Sequence, residues 1–140
     1  NLCEGYFLMS CGSIVLADRH PIMLMGIRSL LAAEADAVLM AVDEVSLVDA
    51  IQKVNPDLVI ADLSFPVSGG TNVVKLIKQC NPAIKIIILS MYDDPSVVDG
   101  IIKDGADGFV LRQWAVIDLI PAVREVCQGA RYISKSNTER

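Results

Sequence analysis

Four positions in this sequence carry the side chains that phosphate chemistry needs, and each closes an apolar block. Asp18 follows SIVLA with Arg19 beside it, Asp62 closes DLVIAD, Ser90 closes IKIIILS and Arg112 closes GFVLR. A carboxylate can act as a nucleophile, a hydroxyl can bond a phosphoryl oxygen, and a guanidinium can neutralise one. Singly, each has a plainer use: an aspartate or serine after a strand caps the next turn, and an arginine carries its head into water along an apolar stem. Together they predict one site, provided the blocks end at the same edge of one sheet.

The blocks at 13–18, 37–42, 57–62, 84–90 and 108–112 are short, continuous and apolar. Strands covered on both faces read this way. Helical periodicity fills the gaps at 21–34, 45–54, 70–80, 94–104 and 116–128. Ser46 or Asp43 is placed to cap the second helix and Asp94, before Pro95, the fourth; Gly105 and Gly129 are placed to end the fourth and fifth. Pro121 falls inside the fifth, where it removes the bond to residue 117 and predicts a kink or a delayed start. Strands separated by single helices imply right-handed crossovers, hence an α/β fold with a five-stranded parallel sheet, doubly wound in three layers. Ligands of such sheets bind outside the carboxyl ends of the strands, where the four positions lie.

Composition narrows the function classes. The 140 residues fit one domain, and 53% are hydrophobic, yet no run approaches the roughly 18 residues of a membrane span. No membrane role is expected. A net charge of −5 offers no basic face to nucleic acid. Cysteines at 3, 11, 80 and 127 form no CxxC pair, and there is one histidine. That pattern argues against zinc and against disulfide stapling, and favours a reducing, cytoplasmic setting. Residues 1–12 contain a lipobox-like LMSC but no Lys or Arg, and Glu4 interrupts them. They are read as an N-terminal extension or expression remnant, not a signal peptide.

At the four positions the sequence resembles the receiver domain of bacterial response regulators, and more narrowly the NarL/FixJ type that precedes a LuxR-like helix-turn-helix. The resemblance covers residues 13–134. It rests on Ala17-Asp18-Arg19-His20-Pro21 where a small residue and Asp-Asp-His-Pro are usual, and on DLVIADLSFPVSGG with Asp62 at the acceptor. LSMYDD places Ser90 at the switch hydroxyl, and GADGFVLRQ places Phe109 at the rotating aromatic and Arg112 at the usual lysine. The resemblance implies a flavodoxin-like sheet of order 2-1-3-4-5 and a signalling module, not an enzyme. It also implies Mg²⁺ held by Asp18, Asp62 and the backbone carbonyl of Ser64, a sensor histidine kinase as partner, and a homodimer. Residues 135–140 would begin a linker to a DNA-binding domain beyond this chain.

The departures bear on the chemistry. Arg19 replaces an acidic metal ligand, so Mg²⁺ loses an oxygen donor and gains a cation as neighbour, which puts metal binding and phosphorylation in question. Its guanidinium has two courses: a two-pronged pair with Asp62 or Asp18, or exposure to solvent. Arg112 can neutralise a phosphoryl group or pair permanently with Asp62. Phe109 lacks a hydroxyl, and taken alone is a core aromatic. His20 suits a turn before Pro21, and Trp114 suits packing on the fifth helix or a partner contact.

In the first helix, Met23, Ile27, Leu30 and Leu31 form the expected core stripe. Ile22, Leu24 and Met25 fall off it and are assigned to an interface, unless residues 6–9 cover them. Two readings remain: a receiver with Asp62 as acceptor and an altered metal site, or a phosphorylation-independent pseudo-receiver acting as a dimerisation or interaction module. A haloacid-dehalogenase-like phosphatase would need Asp-x-Asp, and Asp62-Leu63-Ser64 supplies only the first carboxylate.

Overall fold

The computed structural model describes residues 11–140. Five strands and five helices alternate: β1 (Ser13–Ala17), α1 (Pro21–Leu31), β2 (Ala37–Ala41), α2 (Glu44–Val54), β3 (Leu58–Asp62), α3 (Val73–Cys80), β4 (Lys85–Ser90), α4 (Pro95–Asp104), β5 (Gly108–Leu111) and α5 (Ala115–Cys127). Single 3₁₀ turns occupy Arg112–Trp114 and Asn137–Glu139. All pairings are parallel, and the order is β2-β1-β3-β4-β5-β6. The expected order is thus kept and extended by β6 (Tyr132–Ile133), a two-residue strand on β5.

Strand alternation sorts the core into two layers. Ile14, Leu16, Ile60 and Leu89 pack with Leu24, Ile27 and Leu31 of α1 and Leu119 and Val123 of α5. Val15, Val59, Ala61 and Ile88 pack on the other face with Leu47, Ile77, Ile101 and Phe109. Gly108 is needed for close packing, because a Cβ there would lie 2.9 Å from Ile87 Cγ1 and 3.2 Å from Val126 Cγ2.

Local chemistry sets the helix ends. Asp43 accepts from the Ser46 amide at 2.8 Å while Ser46 Oγ accepts from the Asp43 amide, so both candidate caps act in one capping box. Asp94 caps α4 through the Ser96 amide at 2.9 Å. The third helix starts at Val73 rather than 70, because Gly69 and Gly70 have φ of +80° and +69° and Asn72 supplies the cap. The first ends at Leu31, three residues early. Pro121 neither delays nor ends α5. Its ring lies on the solvent face, where water can serve the Ile117 carbonyl that loses its donor.

Two expectations are corrected. Leu24, assigned to an interface, is 2% exposed and packs in the core with Ile27 and Leu31. The buried stripe is 24-27-31, with Met23 and Leu30 at its margins, so α1 is rotated relative to the expected face. Ile22 and Met25 remain exposed. Covering by residues 6–9 lies outside the described residues.

The second correction concerns the cysteines: Cys11 and Cys127 form a disulfide with Cα atoms 5.6 Å apart. A separation of 116 residues gives no sequence signal. The fold supplies it, by bringing the approach to β1 against the end of α5. Cys80 is a free, exposed thiol.

Candidate functional site

Register places the site residues before any side chain is considered. Ala17 pairs with Ala61, so Asp18 and Asp62 continue adjacent strands side by side. The chain moves from β1 outward to β2 and then crosses to β3, which makes this pair of strand ends the topological switch point. Ser90 pairs with Leu111, so Arg112 leaves β5 at the same edge but two strands from Asp62. At about 4.8 Å per strand the backbones are separated by roughly 10 Å, a gap that only a long side chain crosses.

Arg112 crosses it. Its Nη1 donates to Asp62 Oδ1 at 3.0 Å, and its Nη2 lies 3.6 Å from Asp18 Oδ2. Both carboxylates are buried, and the arginine side chain is 14% exposed. At about 4 Å and an effective dielectric near 20, a pair of unit charges attracts by roughly 4 kcal/mol before desolvation is subtracted. One guanidinium thus serves two acids, and the three groups keep one net negative charge.

The remaining carboxylate oxygens are held locally. Asp18 Oδ1 accepts from the His20 amide at 2.8 Å and lies 2.9 Å from His20 Nδ1. Asp62 Oδ2 accepts from the Ser64 amide at 3.1 Å and from Ser64 Oγ. Both are Asx turns, in which an aspartate bonds the amide two residues on. The turn expected at His20 is present, with the His20 ring also against Asp18; the bond from the Ser64 hydroxyl has only the Asp-x-Ser turn pattern as a sequence signal.

The two courses left open for Arg19 are now separated. Arg19 is exposed and makes no ion pair with any described residue. The pairing considered for it belongs to Arg112. Beyond the end of β1 the chain bends at Arg19, within the turn that Asp18 closes on the His20 amide, and the Arg19 side chain is left exposed.

Ser90 is buried, and its Oγ donates to the Tyr92 carbonyl at 3.0 Å while accepting from the Tyr92 amide at 2.9 Å. The hydroxyl therefore shapes the loop after β4. Phe109 is 1% exposed and packs in the core. Trp114 ends the 3₁₀ turn begun by Arg112 and packs against the same core layer.

The Mg²⁺ implied by the resemblance would draw on Asp18, Asp62 and the Ser64 backbone carbonyl, and would compete there with the Arg112 guanidinium. Two carboxylates converge there, Asp18 and Asp62, and Arg112 already faces both. Among the described residues, the buried side-chain oxygen lacking a hydrogen bond is Asp18 Oδ2, and the cation facing it is Arg112. The chain itself supplies the positive charge. Chemically, the arrangement is a carboxylate at a pocket edge with a guanidinium and a hydroxyl on its two oxygens, suited to holding an anion bound to Asp62.

Comparison with known proteins agrees with this geometry. The family model described as the response regulator receiver domain matches residues 14–124. The transcriptional regulatory protein DegU of Brevibacillus brevis is 34% identical over 122 residues, covering 86% of this chain and 52% of that protein. The transcriptional regulatory protein RcsB of Salmonella typhi is 33% identical over 129 residues, covering 89% and 60%. The chain therefore spans between half and two thirds of the length of these relatives. The isolated receiver domain of RcsB from Salmonella enterica serovar Typhimurium, solved with phosphomimetic BeF3⁻, superposes with a TM-score of 0.80 at 29% identity, covering 91% of this chain and 96% of that one. The non-phosphorylated receiver domain of Escherichia coli RcsB gives 0.80 at 29% identity, covering 88% and 98%.

Proposed function

This chain belongs to the response regulator receiver domain family, and we propose that it is the signal-input domain of a two-component regulator of transcription with Asp62 as its phospho-acceptor and Arg112 as the cation that closes its resting site. The observation that carries this reading is the 3.0 Å bond from Arg112 Nη1 to Asp62 Oδ1 at the strand-order switch point. A phosphoryl donor must displace that guanidinium from the carboxylate or take it over as a counter-charge. Phosphorylation is then slow, and independent of Mg²⁺. A sensor histidine kinase is the expected donor.

Output through DNA is proposed by analogy, since solved structures of RcsB include a complex with DNA and RcsB dimers bound to DNA. The present chain has a net charge of −5, so an effector domain would make that contact. Dimerisation is proposed through α1 and α5, which share one side of the sheet and expose Ile22, Met25, Val116 and Ile117. A second reading, a pseudo-receiver that assembles without phosphorylation, is favoured by the same Arg112–Asp62 pair, which occupies the acceptor.

The deciding experiment is incubation with acetyl phosphate, with and without Mg²⁺, followed by intact mass. Slow, Mg²⁺-insensitive addition of one phosphoryl group, abolished in Asp62→Asn, is expected. Rapid stoichiometric modification that requires Mg²⁺ would remove the closed-site reading. Complete absence of modification, restored in Arg19→Asp/Arg112→Lys, would favour the pseudo-receiver.

A further inference from the structure

We propose that Asp93, Trp114 and Asp118 form an intramolecular docking surface for the turn at residues 136–140, and that this strap senses the position of Arg112. The turn is internally built: Ser136 and Glu139 form a reciprocal capping box, with the Ser136 amide donating to Glu139 Oε1 at 3.0 Å. Three anchors then hold it. The Asn137 amide donates to Asp93 Oδ2 at 3.0 Å, and Trp114 Nε1 donates to Asn137 Oδ1 at 2.8 Å. Arg140 lies with its guanidinium carbon 4.4 Å from the centre of the Trp114 ring, and its Nη2 donates to Asp118 Oδ2.

Asp118 explains why the strap is needed. It is 5% exposed, on the side of α5 that also buries Leu119 and Ala122. The same Oδ2 accepts from Ser134 Oγ at 2.6 Å, and Ser134 Oγ accepts from the Leu111 amide at 3.2 Å. A carboxylate so placed needs a cation, and the strap brings it. Arg140 is correspondingly sequestered, with its side chain 16% exposed.

The anchors stand on the two loops that bound the acceptor site. Trp114 closes the 3₁₀ turn that Arg112 opens, and Asp93 follows the Ser90–Tyr92 bonds that shape the loop after β4. A shift of Arg112 away from Asp62 therefore moves Trp114 against Asn137 and Arg140. The strap goes beyond the phospho-acceptor reading and does not need it, since the coupling runs through the Arg112–Asp62 pair alone.

Trp114 is the sole tryptophan, so its emission reports the strap directly. The experiment measures emission maximum and acrylamide quenching of the whole chain, with no phosphoryl donor present, in wild type, Asn137→Ala, Arg140→Ala and Arg140→Ala/Asp118→Asn. All three variants are expected to red-shift and to lose protection from quencher. Asn137→Ala keeps the Asp118–Arg140 pair and the double variant removes the unpaired acid, so loss of protection there does not depend on damage to the fold. Shielding equal to wild type in all three overturns the strap. Arg112→Ala and Asp62→Asn are expected to lose part of the protection, and unchanged quenching in both overturns the coupling. Wild-type shielding independent of protein concentration is expected; shielding that falls on dilution would place the strap on a second copy and overturn the intramolecular assignment.

Discussion

Arg112 reaches across two strands to place its guanidinium 3.0 Å from Asp62 Oδ1 and 3.6 Å from Asp18 Oδ2, so a single side chain balances both acids of the site. The relationship is one of topology as well as charge. Asp18 and Asp62 are neighbours because β1 and β3 pair, and their repulsion is fixed by that register. The lysine or arginine side chain paired with them among the described residues comes from the turn after β5.

Removing that cation should therefore cost stability. Arg112→Ala leaves two buried carboxylates facing each other, and truncating one partner of a buried pair typically costs about 3–5 kcal/mol. Asp62→Asn added to Arg112→Ala should recover part of that loss, with a coupling energy of about 1–3 kcal/mol in the double-mutant cycle. Urea denaturation at neutral pH measures both. Additive losses would show that Arg112 and Asp62 do not share their charge.

Arg19 provides the contrast. It is exposed and unpaired with any described residue, so Arg19→Ala should change stability by no more than about 0.5 kcal/mol. Its rate of modification by acetyl phosphate should match wild type. A rate change comparable to that of Arg112→Ala would place the Arg19 guanidinium in the pocket in solution.

These two arginines show what the sequence could convey. The strand blocks and their spacing specified a parallel sheet and its carboxyl edge, because continuous apolar runs bury on both faces whatever their neighbours are. The end-of-strand residues followed from that edge. Which arginine turns inward did not follow, since Arg19 is adjacent to Asp18 in sequence while Arg112 is brought to it by a crossover about a hundred residues later in the chain. The same limit applies to Cys11 and Cys127 and to the pairing of Arg140 with Asp118, all of which are long-range contacts without a local pattern. Leu24 failed for a different reason: the rotation of a helix with apolar residues on more than one face is chosen by the sheet beneath it, not by its own periodicity.

The disulfide closes almost the whole chain. For a loop of this length the chain-entropy estimate is about 4–5 kcal/mol, with 2–4 more typical in practice. Reduction should lower the urea midpoint accordingly, and Cys11→Ser/Cys127→Ser should be insensitive to reductant. Alkylation before reduction should label Cys80 and spare Cys11 and Cys127. Equal midpoints with and without reductant would show that the two thiols are not joined in solution.

Helix caps give the protein part of its acid sensitivity. The backbone bond from Ser46, then its side chain, holds the Asp43 carboxyl below the ordinary 3.8, and Asp94 is lowered in the same way by Ser96. A depressed folded-state value means that the contribution is complete above the unfolded value and is lost as pH falls through the folded one. Asn caps nearly as well as Asp, so Asp43→Asn should match wild type near neutrality and lose less stability below about pH 3.8. Urea midpoints across that interval check it; parallel acid limbs would remove Asp43 from the linkage.

The two sides of α1 should respond oppositely to the same change. Leu24 packs against Ile27 and Leu31 in the core, and burying a carboxylate there leaves it without a partner, so Leu24→Glu should unfold the chain or lower its midpoint severely. Even Leu24→Ala should cost about 2–5 kcal/mol. Ile22 is 87% exposed and Met25 63%, and neither contributes to the buried stripe. Ile22→Glu/Met25→Glu should therefore keep the far-ultraviolet spectrum and the urea midpoint of wild type. If these residues form a self-interface, the same double variant should lower the mass seen by light scattering, because four charges would then be brought together across a two-fold axis without counter-ions. A folded double variant with the oligomeric mass of wild type would take Ile22 and Met25 out of the interface and leave Val116 and Ile117 of α5 as the exposed apolar residues to test next.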